Sequence, residues 1–326
     1  MPEFHVIGAG VAGLAVACEL KDRGADVQIT DGGGGPGEHS CSWWAGGMLA
    51  PHCERESAEA PVVSHGMHAA DWWEAHGADV TRHGTIVLAQ ARDHGELRRF
   101  GRKTSRFEEI GGNEIGSLEP DLAGRFQRGL FFSTEAHIDP RQGLSALRAR
   151  LAMQGVTIET GRAEPAPGTI DCRGLAAQES LPDLRGVKGE MLVLHCPDVA
   201  LTRPVRLLHP RIPLYIVPRG EGIYMLGATM IETSERTRIT ARSMLELLSA
   251  AYALHPAFAE AEILEVGVDA RPAFPDNLPR IRRKNGIIRA NGLYRHGFLL
   301  APALAQQVAD LALGESTPEF CDEDHP

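Results

Sequence analysis

Apolar residues lead straight into a glycine-rich turn at the start of the chain. A strand ending in Val6-Ile7 runs into Gly8-Ala9-Gly10-Val11-Ala12-Gly13, and an apolar helix follows. Ala25 to Thr30 reads as a second strand. Further along, the apolar spacing predicts a helix over Val63 to His76 and strands over Thr85 to Gln90 and Arg128 to Ser133. Asp139 suits a helix cap and Pro140 the first helical position, so Arg141 to Met153 is expected to be helical. Gly155 ends that helix, and Val156 to Thr160 begins a strand that could rejoin the first sheet. The remainder reads as strands at Met191 to His195, Leu214 to Pro218 and Ile223 to Met230, a helix at Ala241 to Leu254, and a strand at Glu262 to Val268. Gly286 to Ala290 and Gly297 to Leu313 then close the pattern as strand, loop and helix.

The opening turn is a GxGxxG between strand and helix, the context that gives this short motif its meaning. Gly8 permits the tight turn, Gly10 lets the backbone approach a pyrophosphate, and Gly13 lets helix and strand pack closely. The helix start offers free N–H groups to phosphates. Asp31 follows Gly8 by 23 residues, where a carboxylate suits the ribose 2′-hydroxyl of an adenine dinucleotide and would repel a 2′-phosphate. The loop Gly32 to Gly37 lacks the Lys-Ser/Thr pair of a Walker loop, so its glycines are read as serving flexibility.

Composition narrows the partners. The chain has 326 residues, enough for two domains, with 43 acidic residues against 33 Lys and Arg and a formal net charge of −10. That balance argues against nucleic acid or an anionic membrane and for a small molecule. Six cysteines show neither CxxC nor metal-type spacing, so no metal site is expected and a reduced, cytoplasmic protein is the simplest reading. The glycine-broken N-terminus lacks a basic leader, and no stretch reaches 18 apolar residues. Homo-oligomerisation is left open.

The run Ser40 to Pro51 is small and apolar, suited either to a flat aromatic cofactor or to a buried loop. Together with the GxGxxG and Asp31, its segment Ala45-Gly46-Gly47-Met48-Leu49-Ala50-Pro51 resembles the D-amino-acid oxidase superfamily of FAD enzymes, and most closely the glycine oxidases that serve thiamine thiazole synthesis. The resemblance extends through Leu214 to Arg219, Gly227 to Met230, Ala270-Arg271-Pro272, and Gly292 to Gly297 with Ala301-Pro302. It implies an α/β chain, α+β overall. An FAD-binding Rossmann-like domain would comprise residues 1–75, 138–185 and 276–326, interleaved with an antiparallel-sheet substrate domain of 76–137 and 186–275.

The resemblance also implies roles. Arg271 matches the arginine that binds the substrate carboxylate, and Tyr215 the tyrosine that adds a hydrogen bond to it. Met48 and Met230 match methionines that wall the site, and Arg295 a basic residue over flavin and substrate. Gly46, Gly47, Met48, Gly297, Phe298 and Leu299 would lie against FAD, with the helix start near Gly297 stabilising negative charge on the reduced ring. His296 departs from the small amide usual there and is expected on a loop at the rim. The stretch Gly161 to Gly174 is shorter than usual, which puts the rear of the FAD domain in doubt. FAD is expected to be non-covalent, the substrate a small amino acid, foremost glycine, and the acceptor oxygen. The alternatives are sarcosine or a D-amino acid as substrate, a dehydrogenase with another acceptor, and a non-catalytic FAD-binding accessory protein.

Overall fold

Val6 and Ile7 are both buried, and their strand Glu3–Ile7 lies between two parallel neighbours. A strand covered on both faces requires an apolar run rather than alternation. The computed structural model describes residues 2–209, 214–316 and 318–322. Among these, six strands form the first sheet, in the order Arg280–Lys284, Ile287–Asn291, Thr169–Asp171, Glu3–Ile7, Asp26–Asp31, Ile158–Thr160. All neighbours are parallel except the hairpin of the first two. Helix Val11–Asp22 is buried along almost its whole length, packed on the sheet and on helices Pro140–Met153 and Gly297–Leu313. Its small residues Gly13, Ala15 and Ala17 permit that close approach.

The second sheet is built from Arg185–His195 at one side, followed by Ile223–Gly227, Leu214–Gly220, Val205–Leu208, Thr85–Ala89, Arg128–Phe132 and Glu108–Gly111. Glu262–Ala273 covers the other flank of Arg185–His195 over eleven register pairs, and Ile231–Glu232 adds a short edge. The sheet is antiparallel with one exception: Val205–Leu208 runs parallel to Thr85–Ala89. A three-stranded sheet, Met48–Leu49, Ala136–Ile138 and Val80–Thr81, lies beside them.

Several expectations are corrected. The helix expected over 63–76 is two short helices, Ala60–Gly66 and Ala69–Ala75, which turn so that both pack on the last helix. The 161–174 stretch does not weaken the sheet, because Thr169–Asp171 inserts as a buried strand beside Glu3–Ile7. The strand expected at 191–195 begins at Arg185, since Lys188 and Glu190 are buried as a pair 3.3 Å apart. The strand expected at 223–230 stops at Gly227, before a cis Gly227–Ala228 bond. Glu262–Ala273 likewise runs five residues past Val268.

Helix Gly297–Leu313 carries Pro302 in its interior. Proline has no N–H to give the carbonyl four residues earlier, that of Phe298. The indole N–H of Trp73 donates to that oxygen at 2.8 Å, and the two rings stack at 5.3 Å. The helix start is thereby fixed to helix Ala69–Ala75.

Candidate active site

A cavity of about 730 Å³ opens between the two large sheets, running from the glycine turn to the inner face of the second sheet. At the turn, Gly8 has φ +102° and its N–H donates to the Thr30 carbonyl at 2.8 Å. A Cβ on Gly13 would stand 1.9 Å from the Gly8 oxygen, so this glycine is required by the fold itself. Gly10 differs. Its backbone is ordinary, φ −73° and ψ −174°, and a Cβ would meet nothing closer than the Ser42 hydroxyl at 3.2 Å. The protein alone gives little reason for glycine there, whereas a pyrophosphate lying against the turn does.

Asp31 stands at the end of its strand on the cavity wall. Its carboxylate accepts from the N–H groups of Ala9 at 2.8 Å, Gly33 at 2.9 Å and Gly35 at 3.2 Å, with His39 Nε2 at 3.4 Å. The glycines at 32–37 therefore do not serve flexibility alone; they wrap the loop around this carboxylate, with positive φ at Gly34 and Gly35.

The opposite wall follows from strand register. Tyr215 pairs with Gly227, Gly227 with Met191, and Met191 with Gly267, which places all four on one face. The glycines leave a shelf on which the Tyr215 ring lies over Gly46 and Trp44 covers Gly267; a Cβ would be 2.9 Å from the first ring and 2.3 Å from the second. Arg271 is paired with Val187, and its guanidinium crosses Gly189, two residues along the same face. A Cβ on Gly189 would be 2.2 Å from Nη2. Arg271 Nη1 donates to the Thr229 carbonyl at 3.2 Å, and the side chain makes no ion pair among the described residues.

Other charges at this end are matched. Glu54 is buried, with Oε2 3.0 Å from Arg295 Nη2 and Oε1 3.3 Å from Arg206 Nη1. Arg206, itself buried, also stands 3.8 Å from Glu56. Burial would raise the Glu54 carboxyl, but Arg295 and Arg206 more than offset it and hold it at about 2. The free edge of Arg295 faces Ser57 Oγ at 3.4 Å and Met230 Sδ at 3.6 Å. His296 is not at a rim. It is 4% exposed on the cavity wall, Nδ1 3.6 Å from Glu54, and burial lowers it to about 4 despite the glutamate, leaving it neutral at pH 7.

The family model for FAD dependent oxidoreductases matches residues 3–311. The chain belongs to this family. It is 54% identical over 315 residues to a protein of Rhizobium etli provisionally named thiamine biosynthesis oxidoreductase ThiO, covering 95% of this chain and 96% of that one. It is 27% identical to a glycine oxidase of Bacillus licheniformis, over 95% and 92% of the two chains. The crystal structure of glycine oxidase from Geobacillus kaustophilus shares its fold, with TM-score 0.83 at 22% identity and full coverage of both chains.

As an FAD-dependent oxidoreductase of glycine oxidase type, the protein has a cavity suited to that cofactor. Gly8, Gly10, Asp31, Gly46, Gly47, Met48, Gly297, Phe298 and Leu299 all line it, while Gly13 stands behind the turn. The start of helix Gly297–Leu313, which lines the cavity, carries no acidic residue in its first turn. Arg271, Tyr215, Arg295 and Met230 line the same space. Sequence reasoning missed Glu54, Arg206, Gly189 and Arg219. The last, its side chain 10% exposed, donates to the Gly46 carbonyl at 2.8 Å and the Ile138 carbonyl at 3.2 Å, holding the 45–47 segment in place. Among the described residues no helix is long and apolar enough to cross a membrane, and no His, Cys, Asp and Glu cluster could hold a metal ion.

Proposed function

We propose that the protein is an oxidase of a small amino acid, foremost glycine. With water and oxygen it would yield glyoxylate, ammonia and hydrogen peroxide. The observation that carries this reading is Arg271, a cation on the cavity wall with no carboxylate of its own among the described residues. A substrate carboxylate buried there without a cation would cost several kcal/mol. Arg271 offers a planar fork, and Tyr215, on the same sheet face, offers a hydroxyl to the same group. Met48 and Met230 narrow the space for a side chain.

FAD, when bound, supplies the two-electron oxidation of the C–N bond. The chain positions the α-carbon through the carboxylate, and the start of helix Gly297–Leu313 supplies a positive end for negative charge developing in the cavity. No acid or base is assigned, because the amine can bind neutral. Product imine hydrolyses in water, or serves directly in thiazole assembly, a reading supported by the name of the Rhizobium etli relative. Non-covalent attachment is supported by Cys41, whose thiol burial and Asp269 push up to about 12, far from the thiolate needed for a thioether. We assign FAD binding to residues 1–75, 138–185 and 276–326, substrate binding to 76–137 and 186–275, and the protein to the cytoplasm.

The test is anaerobic mixing with glycine, sarcosine, D-alanine or L-amino acids. Glycine should bleach the flavin bands most efficiently, and air should restore them with peroxide release. Preference for another amine would replace glycine as substrate. Bleaching without reoxidation in air would replace oxygen as acceptor, and no bleaching by any small amine would reduce the protein to an accessory.

A further inference from the structure

Four arginines, Arg206, Arg236, Arg271 and Arg295, line the substrate end of the cavity, and three of them are ion-paired. Arg295 and Arg206 share Glu54, at 3.0 and 3.3 Å, and Arg206 also approaches Glu56, which Lys103 reaches from the outside at 3.3 Å. Arg236, which also lines the cavity, is taken by Asp269 through both carboxylate oxygens. Arg271 alone on this wall makes no ion pair among the described residues. The arrangement at Glu54 is unusual for a structural ion pair. Its Oε2 is buried and makes no hydrogen bond, although Arg295 Nη2 is in ionic contact and the equally unpartnered His296 Nδ1 lies 3.6 Å away. A structural pair would be expected to satisfy its acceptor fully. Here the carboxylate acts on Arg295 chiefly through its charge.

From this we infer that Glu54 is a specificity-determining residue. It neutralises Arg295, so that the site presents one uncompensated cation and accepts ligands with one carboxylate while refusing a second. This rests on the proposed reading of Arg271 as the carboxylate anchor. A ligand's second carboxylate entering this end must lose water, and it needs a cation in exchange. Arg295 is the cation within reach, its Nη1 edge turned toward Ser57 and toward Met230, which lines the same cavity. With a full negative charge 3.0 Å behind it, that edge repays little, and the incoming carboxylate is repelled by Glu54 itself. Replacing Glu54 by glutamine keeps the volume and an acceptor for Arg206 while removing the charge. Arg295 then becomes a second anchor.

The probes are acetate and malonate, which carry one and two carboxylates and no amine, so a role of Glu54 toward the substrate amine does not enter. Binding is measured by calorimetry on the FAD-loaded protein. Glu54→Gln should tighten malonate relative to acetate by about tenfold or more, Glu54→Asp should not, and Glu54→Gln with Arg295→Gln should lose the gain. An unchanged malonate-to-acetate ratio in Glu54→Gln overturns the inference. Should that variant fail to retain FAD, Arg295→Gln alone decides. It should leave the ratio unchanged, and a selective loss of malonate would show that Arg295 was never neutralised. The anchor reading fails separately, by acetate binding that survives Arg271→Gln undiminished, and that result leaves the ratio in Glu54→Gln informative.

Discussion

The two ends of the cavity are made from different material. The dinucleotide end is mostly backbone: the Gly8 to Gly13 turn, the starts of helices Val11–Asp22 and Gly297–Leu313, and a glycine loop tied to Asp31. The substrate end is made of side chains, projected from four adjacent strands whose register brings Tyr215, Met191, Arg271 and the bare positions Gly189, Gly227 and Gly267 onto one face. A backbone site is specified by spacing within a few residues. A side-chain site is specified by which residues of distant strands fall opposite one another, and by which of them carry no side chain at all.

The comparison breaks most sharply at Gly10. Gly10→Val should fold, because its dihedrals are open to any residue, yet should retain no FAD when circular dichroism and flavin absorbance are recorded on the same sample. A yellow, folded variant would mean that the cofactor does not approach this turn. At the other end Arg271→Ala should keep FAD and lose about 3–5 kcal/mol of substrate binding, roughly 10²- to 10⁴-fold in kcat/KM for glycine. Arg271→Lys should recover only part, because a point charge cannot reproduce a two-pronged grip. Wild-type efficiency in the alanine variant would transfer the anchor role to Arg295.

Gly189→Ala tests the register argument without touching a polar group. The new methyl would displace the guanidinium of Arg271, at 2.2 Å, and misplacement of an orienting group by about 1 Å costs on the order of 10- to 100-fold. KM should rise more than kcat falls, and an unaltered KM would show that Arg271 can bind from another position. The last test concerns Glu135, buried where the Cys53 N–H reaches it. Burial pushes its carboxyl up to about 8, although it accepts from the Cys53 N–H at 2.7 Å. The folded form then holds a proton that the unfolded chain releases near the usual carboxylate value of 4.5, so stability should decline as pH rises from there through about 8. Thermal melts of Glu135→Gln should show a flatter decline over that window; an unchanged slope would place the titration elsewhere.

The same distinction explains what the sequence disclosed. The GxGxxG, helix Ala241–Leu254 and helix Gly297–Leu313 were legible because each rests on a local pattern. Two strands run further than expected through charged residues: Lys188 and Glu190 are buried against each other before Met191, and Asp269 and Arg271 continue a strand past Val268. Arg271 and Tyr215 were named through resemblance, not from their surroundings. Glu54 carried no signal that singled it out, and His296 looked like a loop residue, since nothing nearby in sequence reveals that they meet across the chain. Gly189 had no signal of its own, because its significance is the arginine lying over it.

The strand order of the first sheet has a consequence for how the protein is made. Glu3–Ile7 is synthesised before every other strand of its sheet but sits in its interior, and one of its neighbours, Thr169–Asp171, is synthesised more than 160 residues later. That neighbour in turn waits for Ile287–Asn291, and helix Val11–Asp22 waits for Gly297–Leu313 to cover it. Such pairings close long loops before they gain contacts, which slows folding and leaves apolar segments open to association. The growing chain therefore carries its dinucleotide turn, fully translated, without the walls that would let it hold a ligand until residues 290–299 have been added. Capture of FAD has to wait until helix Gly297–Leu313 has been made, and the supply of free cofactor at that moment bears on how many copies reach the native state.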